Sequence, residues 1–119
     1  MNRDLRPSVA IGHLKLSTPD VDSTLAFFDA LGARMVHRSG TLAIVEVRGG
    51  THLVVREGSA DAPAFDLMVD GLPQVHETLA ARGFGPAPIE TGRIHSSFRV
   101  TDRAGVPHTL TSSHAVGPV

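Results

Sequence analysis

The sequence predicts an α+β fold built from two copies of one strand–helix–strands unit. Three observations carry that expectation. Apolar and polar residues alternate over several short runs, apolar residues recur at helical spacing in two longer runs, and the same order of signals restarts about fifty residues along the chain.

The first unit opens with Val9-Ala10-Ile11-Gly12-His13-Leu14-Lys15-Leu16-Ser17, where Leu14 and Leu16 alternate with His13, Lys15 and Ser17 as in a half-buried strand. Thr18-Pro19-Asp20 reads as a helix start, with Thr18 as N-cap, Pro19 in the first turn and Asp20 favoured by the helix dipole. Val21, Leu25 and Phe28 form one helical stripe, and Gly32 ends it. Three strands are expected next, Arg34 to His37, Leu42 to Val47 and His52 to Arg56, with Gly40 and Gly49-Gly50 at the turns.

Glu57-Gly58-Ser59-Ala60-Asp61-Ala62-Pro63 reads as a connector. The order then restarts with a strand over Phe65 to Val69 and a helix carrying Leu72, Val75, His76 and Leu79 on one face, Pro73 near its start and Gly83 just past its end. Two or three strands follow, the clearest being Ser96 to Val100 and His108 to Thr111. The shift lays Leu72 on Val21, Leu79 on Phe28 and Gly83 on Gly32. An ordinary α+β domain whose halves are alike by accident is the alternative.

Bulk properties narrow the function classes. The 119 residues suit a single domain, and 41% hydrophobic residues against 19% charged ones argue against disorder. A net charge of -1 without a basic run argues against a general nucleic-acid or anionic-membrane binder. Without cysteine there is no disulfide, thiolate nucleophile or thiolate metal site. The opening Met1 to Pro7 lacks an apolar signal core and no apolar run would span a bilayer, so a cytoplasmic location is expected. Five phenylalanines, with no tyrosine or tryptophan, leave few large aromatic faces for gripping a flat ligand.

Two stretches bear a family resemblance. His13-Leu14-Lys15-Leu16-Ser17 through Asp20, Ser23, Leu25, Phe27-Phe28 and Leu31-Gly32 resembles the opening signature of the vicinal oxygen chelate superfamily (glyoxalases, bleomycin-resistance proteins and extradiol dioxygenases). His95-Ser96-Ser97-Phe98-Arg99-Val100-Thr101-Asp102-Arg103-Ala104-Gly105 resembles its closing signature, a Phe-bearing strand followed by Asp-x-x-Gly, and Val69-Asp70-Gly71-Leu72 fits between them. The resemblance implies two βαβββ modules, each a curled antiparallel sheet with its helix outside. They would form one domain over 1–119, with module 1 at about 9–57, a connector at 58–63 and module 2 at about 64–114. It further implies a cup around a small ligand, and a homodimer that completes such cups. A hydrophobic edge from Ala43 to Val47 would suit the dimer contact.

Strand alternation converts that fold into a lining. With Leu14, Leu16, Leu53, Val55, Leu67, Val69, Phe98 and Val100 turned to the helices, the cup receives His13, Lys15 and Ser17; His52, Val54 and Arg56; Ala64, Asp66 and Met68; Ser97 and Arg99; and Thr109, Thr111 and Ser113. His95 shares the parity of Ser97 and stands at the rim, where it would pair with His114 as acid and base if the two meet; His108 has the opposite parity. Lys15, Arg56 and Arg99 outnumber Asp66, which suits a site for an anionic or carbonyl-bearing ligand and equally a wide cup whose charges stay hydrated.

The superfamily's enzymes hold a divalent metal with His and Glu from the first and last strands of each module. Here His13 stands at the first of those positions, while Val54, Ala64 and Thr109 stand at the others. A shifted set of His13, His52 and Asp66 is the alternative; it would suit iron, manganese, zinc or nickel, but a two-residue shift moves a side chain roughly 6–7 Å along a strand. The resulting expectation is a small-molecule-binding protein of the sequestering or carrying type with no cofactor. The competing expectation is a metal-dependent lyase, isomerase, transferase or dioxygenase, and a third is an assembly module whose cup is filled by side chains.

Overall fold

The computed structural model describes residues 4–119, so Met1 to Arg3 of the opening segment lie outside the described residues. The first module contains β1 (His13–Thr18), α1 (Val21–Ala30), β2 (Arg34–Ser39), β3 (Leu42–Glu46) and β4 (His52–Glu57), with a short 3-10 turn at Arg48–Gly50. The second contains β5 (Leu67–Val69), α2 (Leu72–Ala81), β6 (Glu90–Thr91), β7 (Ser96–Thr101) and β8 (Pro107–Ser112). The expected βαβββ order therefore occurs twice.

The strands form two four-stranded sheets, β1-β4-β3-β2 and β5-β8-β7-β6, which are not hydrogen-bonded to each other. Each sheet is mixed: β1 runs parallel to β4 and β5 to β8, and the remaining ladders are antiparallel. The parallel pairs follow from the helix between them, because a crossover connection returns the chain in the same direction. The run from Ala43 to Val47 does not supply the expected sheet edge. Its residues up to Glu46 lie in β3, between β4 and β2; the edge strands are β1 and β2, and β2 is exposed along its whole length. Counting apolar residues had pointed to the more hydrophobic strand, which is hydrophobic because its Ala43 and Val45 are buried.

Helix ends show how literal the duplication is. Gly32 (φ +88°) and Gly83 (φ +81°) each take the left-handed conformation just past their helix, which a side chain would strain. Ala33 N–H then donates to Phe28 C=O and Phe84 N–H to Leu79 C=O, both at 3.0 Å, the same C-terminal closure 51 residues apart. The helix starts differ. Asp20, not Thr18, caps α1: its carboxylate accepts from the Ser23 N–H at 3.3 Å and the Ser23 hydroxyl at 2.7 Å. Thr18 is held in β1 by its pairing with Glu57, and its hydroxyl accepts from the Asp20 N–H at 3.2 Å. α2 has no side-chain cap and begins after left-handed Gly71, with Pro73 in its first turn.

Both modules share one core. α1 lies on β3 and β4, and α2 on β7 and β8. Phe27 joins them: its ring is edge-on to Phe84 at 5.7 Å and stacked on His108 at 4.2 Å. Leu53, Val55, Leu79, Phe98, Val106 and Leu110 are buried around this contact. Fully burying a Leu, Val or Phe side chain contributes roughly 1.5–3 kcal/mol, so a core spanning both modules ties their folding together.

A polar chain crosses the same junction. Thr24 Oγ1 lies 2.7 Å from Thr18 Oγ1 and 2.9 Å from Asp102 Oδ2. An ionised carboxylate only accepts, so Thr24 donates to Asp102, while the Thr18 hydroxyl also lies within donating distance of the Asp20 carbonyl oxygen, at 3.2 Å. Asp102 also accepts the Ala104 and Val106 N–H groups at 2.9 and 3.1 Å and lies 3.0 Å from His108 Nε2. Burial by itself would raise the Asp102 pKa. The bonds from His108, Thr24, Val106 and Ala104 outweigh it and hold the carboxyl below its ordinary value.

Candidate functional site

Burial bears out most of the expected alternation. Leu16, Leu53, Val55, Phe98 and Val100 are buried, and Leu14, Leu67 and Val69 pack against the core. Their neighbours lie on the opposite faces of the two sheets, and most reach solvent.

On the first sheet, strand register arranges the polar residues in rows. His13 is opposite His52, which is opposite Glu46, which is opposite Arg34, so one row crosses all four strands. The His13 and His52 rings lie edge-on with centroids 5.9 Å apart. His52 Nε2 is 3.4 Å from Glu46 Oε1, and the Arg34 guanidinium forms an ion pair with Glu46. The bond from Arg34, then that with His52, holds the Glu46 carboxyl below its ordinary value. One step along the sheet, Lys15, Val54 and Ile44 form a mixed row; beyond it lie Ser17, Arg56 and Leu42.

Lys15 and Arg56 are exposed and, among the described residues, have no carboxylate within ion-pair distance. Arg6, Arg34, Arg38 and Arg48 each have one. On the second sheet, Arg99 is exposed and equally without an acidic partner, Met68 is exposed, and Ser97 and Thr109 are half-buried. Thr111 keeps the expected parity but is buried, in register with Met68 on one side and Ser97 on the other.

At the rim, His95 and His114 do come together, with ring centroids 6.1 Å apart. His95 and Ser97 line a small cleft of about 420 Å³ bounded by Glu90 to Ile94. A larger crevice of about 1120 Å³ opens between the modules, lined by Leu14, Phe28 and Leu31 from the first and Leu67, Val69 and Val75 from the second. Of the expected cup residues it takes in only Asp66 and Met68. Within a single chain the polar faces are thus open surfaces, not an enclosed cup.

The donor set expected for the superfamily's metal does not fit. Val54 and Ala64 carry no donor and Thr109 offers only a neutral hydroxyl, which leaves His13. The shifted set fails within one chain as well: among the described residues no group of three or more His, Asp or Glu side chains is gathered for a metal, so Asp66 does not join His13 and His52. Asp66 precedes β5 in the second sheet, which has no ladder to the first.

Glu46 and Arg34 were missed by the strand reading. Leu42-Ala43-Ile44-Val45-Glu46-Val47 looks like a continuous apolar run, which hides that Glu46 shares the parity of Ile44. The usable signal was the register with His52, available only once β3 and β4 are paired.

No family model matches the sequence, and no curated protein matches it. Solved structures do. A lactoylglutathione lyase from Agrobacterium tumefaciens superposes with a TM-score of 0.76 at 18% identity, covering 95% of this chain and 100% of that one. The chain has the vicinal oxygen chelate fold. A glyoxylase/bleomycin resistance protein/dioxygenase domain from Frankia (TM-score 0.69, 17% identity, 90% of this chain and 99% of that one) shares it. So does the fosfomycin resistance protein FosX from Listeria monocytogenes (TM-score 0.70, 15% identity, 88% and 93%). Identities this low establish the vicinal oxygen chelate architecture and leave the chemistry to the side chains. No described helix is long and apolar enough to cross a membrane.

Proposed function

We propose that this chain is a binding protein of the vicinal oxygen chelate fold that sequesters or carries a small anionic or carbonyl-bearing molecule. The observation that carries the reading is the pair Lys15 and Arg56 on adjacent strands of one sheet face, both exposed and, among the described residues, without a carboxylate within ion-pair distance. Cations left free on a sheet face are available to a carboxylate, phosphate or polarised carbonyl. Arg99, Ser97 and Thr109 offer a second cation and two hydroxyls on the other sheet. A single chain leaves both faces open, so the reading includes a homodimer in which a second copy closes them over the ligand. Resistance and lyase proteins both occur among the structures of this fold, which is compatible with binding and with turnover.

The test is calorimetry of the tag-free protein against a panel of small carboxylates, phosphonates and α-keto acids, alongside sedimentation equilibrium. Saturable binding that falls at least tenfold in Lys15→Ala and Arg56→Ala supports the reading. Binding indifferent to both substitutions, or a monomer at micromolar concentration, overturns the corresponding half of it.

A further inference from the structure

We infer that the crevice between the modules is a ligand site in its own right, which takes a primary amine carried on an aliphatic body, with Asp66 as the counter-ion. The site is separate from the open sheet faces and does not rest on the anion-binding reading of them.

Topology opens the space. β1 and β5 each stand at an edge of their sheet, and no ladder joins the two sheets. The crevice between the modules measures about 1120 Å³. Small-molecule pockets run to roughly 300–1,000 Å³, so it has room for a ligand and its water. Leu14 and Leu31 wall it from module 1, and Leu67, Val69 and Val75 from module 2. All five are half-buried: they pack against the core on one side and leave apolar surface to the crevice on the other. An aliphatic body that covers this surface removes it from water.

Charge defines the other end of the ligand. The lining holds two guanidinium groups, Arg34 and Arg48, and three carboxylates, Glu46, Asp66 and Asp70. Arg34 pairs with Glu46, and Arg48 reaches from module 1 to Asp70 of module 2 at 2.9 Å. Asp66 is left over, with no cation within ion-pair distance among the described residues. One uncompensated carboxylate beside aliphatic walls complements a cationic head on an apolar tail. The aromatic content narrows the head further. Phe28 is the single aromatic ring of the described lining and is itself buried, so the cage of rings that recognises a quaternary ammonium is missing. A primary ammonium needs no cage, because its N–H groups donate directly to the Asp66 carboxylate.

The experiment is titration of the whole chain at low salt with n-octylammonium, octan-1-ol and octanoate, which share one tail and differ in the head, followed by amide ¹H–¹⁵N NMR. The expected order of affinity is octylammonium, octan-1-ol, octanoate, with the first shifts at the amides of Leu14, Leu67 and Val69. Asp66→Asn lowers the octylammonium affinity about three- to fivefold, as loss of one partly solvated ion pair requires, and leaves that of octan-1-ol unchanged. Val75→Trp, which fills the crevice from the module 2 side, weakens both probes. Should that variant fail to fold, Asp66→Asn, an exchange of one exposed polar side chain for another of the same shape, still decides the matter. Octanoate binding at these amides as tightly as octylammonium, octylammonium affinity unchanged in Asp66→Asn, shifts confined to the open sheet faces, or no shift at millimolar probe would each overturn the site.

Discussion

The molecule contains two histidine–carboxylate contacts that differ in almost everything but composition. His108 and Asp102 lie at the junction of the modules with side chains 1% and 0% exposed. His52 and Glu46 lie on the open face of the first sheet with side chains 31% and 25% exposed. In the buried pair Asp102 receives four hydrogen bonds and the His108 ring is stacked on Phe27. Its bonding capacity is consumed by the fold. The exposed pair is backed by Arg34 on one side and opens toward His13 on the other, with capacity left for a ligand. The same two residue types therefore serve architecture where water is excluded and stay accessible to solvent where it is not.

Breaking the buried pair has the largest expected effect. Asp102→Ala leaves His108, Thr24 and two backbone N–H groups without their acceptor, and is expected to cost about 3–5 kcal/mol in urea unfolding. A loss below 1 kcal/mol would show that this junction does not couple the modules. Next comes Thr24→Val, which keeps the shape, removes one donor to Asp102 and should cost about 1.5–3 kcal/mol by the same measurement.

Acid sharpens the comparison without mutation. The folded Asp102 carboxyl sits below its ordinary value, so its contribution is present above the unfolded value of about 3.9 and is lost as pH falls through the folded one. Unfolding midpoints should fall more steeply in that range for the wild type than for Asp102→Asn. Parallel curves would assign the acid sensitivity to other carboxylates. The smallest effect belongs to the open face: Glu46→Gln and His13→Ala should leave the unfolding midpoint unchanged, because exposed pairs add little to stability. A clear drop in either would recast that row as structural.

Much of the fold was legible because its signals are local. Strand alternation at His13 to Ser17, the stripe through Val21, Leu25 and Phe28, and the glycines at 32 and 83 all act within a few residues. Boundaries were less legible where two local preferences competed. Thr18 and Asp20 are both good caps, and only the pairing of Thr18 with Glu57 decides for Asp20. Parity expected Lys15, Arg56, Arg99 and Thr111 to line a cup; in the structure the first three are exposed on open faces and Thr111 is covered, because parity fixes the side of a sheet and not what lies over it.

What the sequence determined by itself is the duplicated βαβββ order and the apolar face of each element. These depend on periodicity and residue chemistry, which are written along the chain. The tertiary structure alone decided which strand forms the edge, that Glu46 stands beside His52, and that Thr24 reaches Asp102 across 78 positions of sequence. Those depend on strand order, register and helix docking, and each is set by the burial of many side chains at once, not by any one segment.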